Sequence, residues 1–204
     1  MGMHLNIDWT TQKGVFLNHE FELKFNKKEE KYTVGHGNLE IYVYKNNYEL
    51  ALHNSDKNAD KICPGPKARK GTWLLLLGIQ IIKQYFGGGL VEIIDVSRIK
   101  FHDNIQSLRV LLMFQNKNSW YENFGFVNEN DTHIKNIVYQ IRNFDITNCD
   151  FPMSKSFTFL GDYMFYIIKN YPEKYDTVIK MLDNSSVHYL LSELYEVPMY
   201  LLVE

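Results

Sequence analysis

The sequence predicts an α+β fold: a mixed, mostly antiparallel sheet with flanking helices, followed by a helical C-terminal extension. Three patterns predict it. Apolar residues alternate with a period of two from about Leu5 to Asn54, an unbroken apolar helix from Trp73 to Phe86 leads into a core strand Leu90–Asp95, and helical spacing takes over after Asn128. Residues 1–130 are therefore expected to form an α/β domain with a β-rich N-terminal part, and residues 131–204 a helical extension packed on it.

Composition narrows the class. With 45% hydrophobic and 15% aromatic residues, the 204-residue chain can bury a substantial core and is not a disordered polymer. A formal charge of −2 gives no electrostatic basis for nucleic acid or an anionic membrane as the main partner. The two cysteines, Cys63 and Cys149, are far apart without CxxC spacing, which suits a reducing compartment. No run approaches the ~20 apolar residues that span a bilayer, and Asn6 stands where a myristoylation signal starting at Gly2 wants Ser or Thr. The expectation is a soluble, cytoplasmic protein.

Each element has its own signal. Phe21, Leu23 and Phe25 alternate with Glu22 and Lys24, and Leu39, Ile41 and Val43 alternate with Glu40, Tyr42 and Tyr44. Lys27-Lys28-Glu29-Glu30 reads as a turn, and Lys45-Asn46-Asn47-Tyr48 as a tight hairpin, since Asn tolerates positive φ. Glu49–His53 returns as the partner strand. Cys63-Pro64-Gly65-Pro66 breaks regular structure between Asn54 and Lys70. Gly71-Thr72 opens the apolar helix and Gly87-Gly88-Gly89 closes it. Ile105, Leu108, Leu111 and Leu112 predict a second helix over Phe101–Met113. In Trp120-Tyr121-Glu122-Asn123-Phe124-Gly125-Phe126 the Gly between two Phe marks the passage from a helix into a strand, at a close approach of backbone. Helices are then expected over Thr132–Phe144, Phe157–Tyr171, Pro172 to Leu182 and Ser185–Tyr195, with a strand over Val197–Val203.

Several residues carry chemistry. Lys67-Ala68-Arg69-Lys70-Gly71-Thr72 puts cations and a Gly at a helix start, where unpaired N–H groups hold phosphate; otherwise it is a solvated loop. It is not a P-loop, because the Lys precedes the Gly. Asp95, Ser97 and His102 are hydrolase-triad residue types, but no Gly-x-Ser-x-Gly elbow surrounds Ser97, and a strand end capping the next turn explains them better. Nothing marks Cys63 as a nucleophile, with His53 or His36 as its base. The seven histidines show no metal-ligand spacing.

The segment Tyr121-x-x-x-Gly125-Phe126 resembles one near the end of the GNAT superfamily of acyl-CoA-dependent acyltransferases, and the order hairpin, basic loop, helix, strand, helix before it matches. Gly71-Thr72-Trp73-Leu74-Leu75, Ile94-Asp95-Val96-Ser97 and Ser119-Trp120-Tyr121-Glu122 are similar to divergent GNAT-like proteins of large DNA viruses, for which the location would be host cytoplasm. The resemblance covers roughly residues 38–127. It implies a GNAT-like sheet and transfer of an acetyl group from acetyl-CoA to an amine. In that scheme Arg69, Lys70, Gly71 and Thr72 bind the coenzyme A pyrophosphate. A strand near Leu50–His53 splays and offers N–H to the oxyanion, and Tyr121 protonates the thiolate. Glu49 is a candidate base, with no motif to fix it. The chain departs from the family at Ala68, where Arg or Gln is usual, at Trp73, where a small residue is usual, and in lacking two helices after the first strand. The alternative is a catalytically inactive GNAT-like scaffold acting as a binding or structural module, with a protein as its partner.

Overall fold

The computed structural model describes residues 4–35, 38–45, 47–53, 70–95, 98–101, 104–182 and 185–204. It is α+β, with a large, mostly antiparallel sheet and six α-helices among the described residues. The chain divides into two compact units, Met1–Ile93 with Tyr200–Glu204, and Ile94–Met199.

The first unit is the expected meander. Strands β1 (Leu5–Asp8), β2 (Lys13–Phe16), β3 (His19–Asn26), β4 (Lys31–Val34), β5 (Leu39–Tyr44) and β6 (Asn47–Leu52) pair in sequence order, each antiparallel to the last. Residues 27–30 turn as expected. The β5–β6 hairpin closes on Tyr44↔Asn47, so the loop is two residues long and Lys45 takes φ +51°. Helix α1 (Lys70–Tyr85) then crosses to β7 (Gly89–Asp95), which runs parallel to β6. One face of the meander, with Leu23, Val34, Leu39, Ile41 and Leu50, is buried together with Leu74, Leu77, Ile81 and Ile82 of α1. Each such side chain contributes about 1.5–3 kcal/mol when fully buried. Gly78 permits the helix to come close: a Cβ there would stand 3.2 Å from Leu50 and 3.4 Å from Leu39.

Both rims of this sheet are managed. At β1 the N–H of Ile7 donates to Tyr85 Oη (2.9 Å) and Gln84 Nε2 donates to the carbonyl of Leu5 (3.1 Å), so helix side chains cover backbone that would otherwise template another strand. At β7 the chain's last strand, β11 (Val197–Val203), ends alongside: Tyr200 meets Glu92, and Val203 lies against Gly88. Gly87 and Gly88, at φ +81° and +84°, end α1, and Gly88 N–H donates back to Ile82 O at 3.1 Å.

The second unit corrects one expectation. Phe101 and Asn104–Ser107 are strand, not helix. Strands β8 (Arg98–Phe101) and β9 (Asn104–Ser107) form a hairpin, and helix α2 covers only Leu108–Phe114. Ser107 explains the start: its side chain accepts from Val110 N–H and caps the helix there. Ile105 shares the helical spacing of Leu108, Leu111 and Leu112 but belongs to the strand before the cap. The remaining helices are α3 (Asp131–Arg142), α4 (Leu160–Asn170), α5 (Tyr175–Leu182) and α6 (Ser186–Ser192). Pro172–Lys174 forms a 3-10 turn ahead of α5 rather than its first turn. Val110 and Phe114 of α2 share one core with Ile137 and Ile141 of α3, Leu160 and Met164 of α4, Val178 of α5 and Leu191 of α6. Tyr163 is fully buried there, stacked on Phe151 at 5.7 Å, and its hydroxyl donates to Pro152 O. Burial pushes that phenol up to about 12.

The aromatic segment also resolves locally. Tyr121–Phe124 is a 3-10 turn, Gly125 ends it at φ +87°, and Val127–Asn128 forms the short strand β10, beside which Glu129 N–H donates to Pro198 O. The Gly is needed for its left-handed backbone.

Candidate functional site

The parallel pair β6–β7 is the distinctive part of the first unit. Its ladder covers three residue pairs, Asn47↔Leu90, Tyr48↔Val91 and Glu49↔Glu92. Both strands outrun it, β6 to Leu52 and β7 to Asp95, whereas β5 and β6 stay paired up to Leu39↔Leu52. The hairpin register directs the backbone groups of Asn47, Glu49 and Ala51 toward β5, and those of Tyr48, Leu50 and Leu52 toward β7. The N–H of Leu52 therefore faces the β7 side beyond the last rung. A donor held by a strand on one side and outside the ladder on the other is preorganised for a ligand oxygen.

A row of polar side chains crosses the sheet at this last rung. The registers place Lys31, Tyr42, Glu49 and Glu92 side by side on the face opposite α1. Tyr200 Oη donates to Glu92 Oε1 at 3.4 Å, and Tyr44 Oη to Glu49 Oε2 at 3.5 Å. Glu40, one rung further, accepts from Lys31 Nζ (3.0 Å) and Tyr42 Oη (2.9 Å), with His53 Nε2 at 3.7 Å. Burial alone would raise the Glu40 carboxyl, but the Lys31 and Tyr42 hydrogen bonds, with the nearby Lys31 and His53 charges, lower it overall. Hydrogen bonds from Lys31 to Glu29 and then Glu40 raise the ammonium. Burial, then Glu40, raises the Tyr42 phenol, and burial, then Glu49, raises that of Tyr44.

Helix α1 runs against β6. Its C-terminal end is at Tyr48, whose hydroxyl donates to Phe86 O, and its middle, Gly78, is at Leu50. Its N-terminal turn, ~12 Å further at 1.5 Å per residue, thus lies toward the Leu52 end. That turn carries three of the predicted pyrophosphate residues: Lys70 and Gly71 are buried and Thr72 is half-buried. Arg69 lies outside the described residues, as do Ser97, His102, Cys63 and His36. Trp73, which departs from the family pattern, turns into the core, 5.7 Å from Phe16 and 6.3 Å from Phe21 by ring centres. Its indole Nε1 is buried and has no hydrogen-bond partner among the described residues.

Tyr121 belongs to the second unit. It is 5% exposed, with Trp120 at 4.7 Å and Phe126 at 6.0 Å, both edge-on. Among the described residues no group of His, Cys, Asp and Glu could hold a metal ion, and no helix is long and apolar enough to cross a membrane. Sequence reasoning missed Lys31, Glu40, Glu92 and Tyr200 as site residues. Strand alternation puts the first three on the polar face, but only the register brings them to neighbouring rungs.

Comparison with protein-family models, with curated proteins and with solved structures finds no match to this chain.

Proposed function

We propose that this protein is a GNAT-like acyltransferase that binds acetyl-CoA at the β6–β7 fork and passes the acetyl group to an amine. The observation that carries the reading is the ladder that stops at Glu49↔Glu92 while both strands continue. The N-terminal turn of α1 supports it, directed toward the same end of β6 with Lys70, Gly71 and Thr72 on it. The amides of that turn and the Lys70 ammonium are the groups that hold the pyrophosphate. The Leu52 N–H is the donor for the thioester oxygen as it gains charge.

Glu49 and Glu92 supply the acceptor's half of the chemistry. Like charges directly across a ladder repel, and an ammonium beside them relieves that repulsion. One carboxylate takes a proton from the amine as its nitrogen attacks the carbonyl carbon; the C–S bond then breaks and the thiolate leaves. The burial of Tyr121 among Trp120 and Phe126 favours a second reading, a scaffold that keeps the coenzyme site without turnover.

The test is thermal unfolding with acetyl-CoA or free coenzyme A. Ligand at ~100 times its dissociation constant stabilises by about 2.7 kcal/mol, a rise in Tm of roughly 5–10 °C for a chain of this size. Replacing Arg69 and Lys70 by Ala should reduce the rise. Tyr121→Phe should preserve it and lower acetyl transfer if the phenol is the proton donor. A rise without transfer to any amine selects the scaffold reading, and no rise with folded protein refutes the coenzyme site.

A further inference from the structure

The second unit holds a cavity of about 270 Å³ that the acyltransferase reading does not use. Its floor is a buried polar network. Arg109, 6% exposed, donates from Nη2 to Asn128 Oδ1 at 2.6 Å; Asn128, 5% exposed, donates to Glu122 Oε1 (3.3 Å) and Asp131 Oδ1 (3.2 Å). Both carboxylates are already engaged. Glu122 also takes the N–H of Ser119 at 2.6 Å, and Asp131 pairs with Lys135. That pairing, with Asn128, holds the Asp131 carboxyl below its ordinary range and ionised at neutral pH.

The cations of the wall are engaged differently. Arg142 Nη1 donates to Met113 O at 2.8 Å and Lys117 Nζ to Gln115 Oε1 at 2.9 Å, both neutral acceptors. Among the described residues neither makes an ion pair. The backbone under Arg142 is fixed by close packing, because a Cβ on Gly161 of α4 would stand 3.0 Å from both Arg142 Cβ and its carbonyl oxygen. Arg142 is half-buried, and among the described residues its guanidinium makes the one hydrogen bond to Met113 O. Such a planar fork matches a carboxylate or phosphate. Ile134, Val138 and Leu194 complete the wall with apolar surface.

The geometry points to a binding site for a small oxyanion, a carboxylate or phosphate group on a short apolar skeleton, held by Arg142 and Lys117 above the Arg109–Asn128 floor. At about 270 Å³ the cavity is below the usual range for drug-sized ligands, so the ligand is a small metabolite and not a nucleotide. Arg109, Lys117, Lys135 and Arg142 outnumber the carboxylates Glu122 and Asp131 around the cavity, and this positive surplus selects an anion.

The test is an NMR titration of the full, isotope-labelled chain with butyrate or inorganic phosphate, against sodium chloride at matched ionic strength. Saturable shifts are expected at the Arg142 side-chain N–H and the Asn118 and Ser119 amides. A response to butyrate alone assigns a carboxylate ligand, to phosphate alone a phosphate ester, and to both the shared oxyanion chemistry. Arg142→Gln, which keeps an amide donor for Met113 O, should weaken binding at least ~10-fold, the loss of one charge-assisted hydrogen bond. Lys117→Ala changes an exposed residue and should weaken it without disturbing the fold. No saturable shift with either probe, equal shifts with chloride, or unchanged binding in both variants would overturn the site.

Discussion

Replacing Gly88 by Ala should damage the first unit far more than the same change at Gly87. The two share a backbone conformation, φ +84° and +81°, so both substitutions carry the ~1–2 kcal/mol cost of a left-handed non-glycine residue. They differ in what the new methyl group meets. Nothing lies within 4 Å of a Cβ at Gly87, whereas a Cβ at Gly88 would stand 2.4 Å from the carbonyl oxygen of Val203. A comfortable contact needs about 1 Å more, and the obstacle is backbone of β11, so the strand beside β7 must shift. Strain of that kind costs typically 1–3 kcal/mol. Gly87→Ala should therefore lose ~1–2 kcal/mol and Gly88→Ala ~2–5 kcal/mol. At roughly 2–4 °C per kcal/mol, the two should melt several degrees apart. Urea unfolding of the purified variants measures both losses. Equal losses would refute the packing of Val203 against the start of β7, and with it the placement of Tyr200 beside Glu92.

Further outcomes follow from the same contacts. Because the Glu40 carboxyl is lowered on folding, its stabilisation is present above the ordinary value of 4.5 and lost as pH falls through the folded value. Glu40→Gln should flatten the stability–pH curve below about pH 5, by no more than ~1 kcal/mol, and an unchanged acid limb would contradict the Lys31–Glu40 pairing. Truncation to residues 1–130 removes Ile137, Ile141, Leu160 and Met164 from the core that Val110, Leu111 and Phe114 share. The fragment should be insoluble or bind hydrophobic dyes; a soluble, cooperatively unfolding fragment would show that residues 94–130 do not need that core. Ser107→Ala should cost ~1 kcal/mol by uncapping α2, and no change in urea midpoint would return the start of that helix to residue 101.

Much of the first unit was legible because a half-buried meander writes its pleat into the sequence. Phe21 and Leu23 are buried at the spacing that predicts them, although Phe25, in the same series, is exposed and packs its ring, tilted, against Tyr32 at 4.6 Å. The helix expected over Trp73–Phe86 runs over Lys70–Tyr85, since an apolar run bounded by glycines leaves little choice. The helix expected from Phe101 begins only at Leu108, because Ile105 keeps the helical spacing of Leu108 and Leu112 while belonging to the strand before the Ser107 cap. The polar row was out of reach for a different reason. Glu92 and Tyr200 are separated by 108 residues, and no local pattern specifies their meeting. Likewise, nothing near Arg109 or Arg142 in sequence indicates that they line one cavity.

The proposed coenzyme A site joins the first turn of α1 to the β6–β7 fork. The most direct measurement is the change in backbone amide NMR signals on adding acetyl-CoA. Saturable changes are expected, largest at Gly71, Thr72 and Leu52, and they should diminish when Lys70 is replaced by Ala. Binding that leaves those three amides unmoved, or no binding by folded protein, would contradict it.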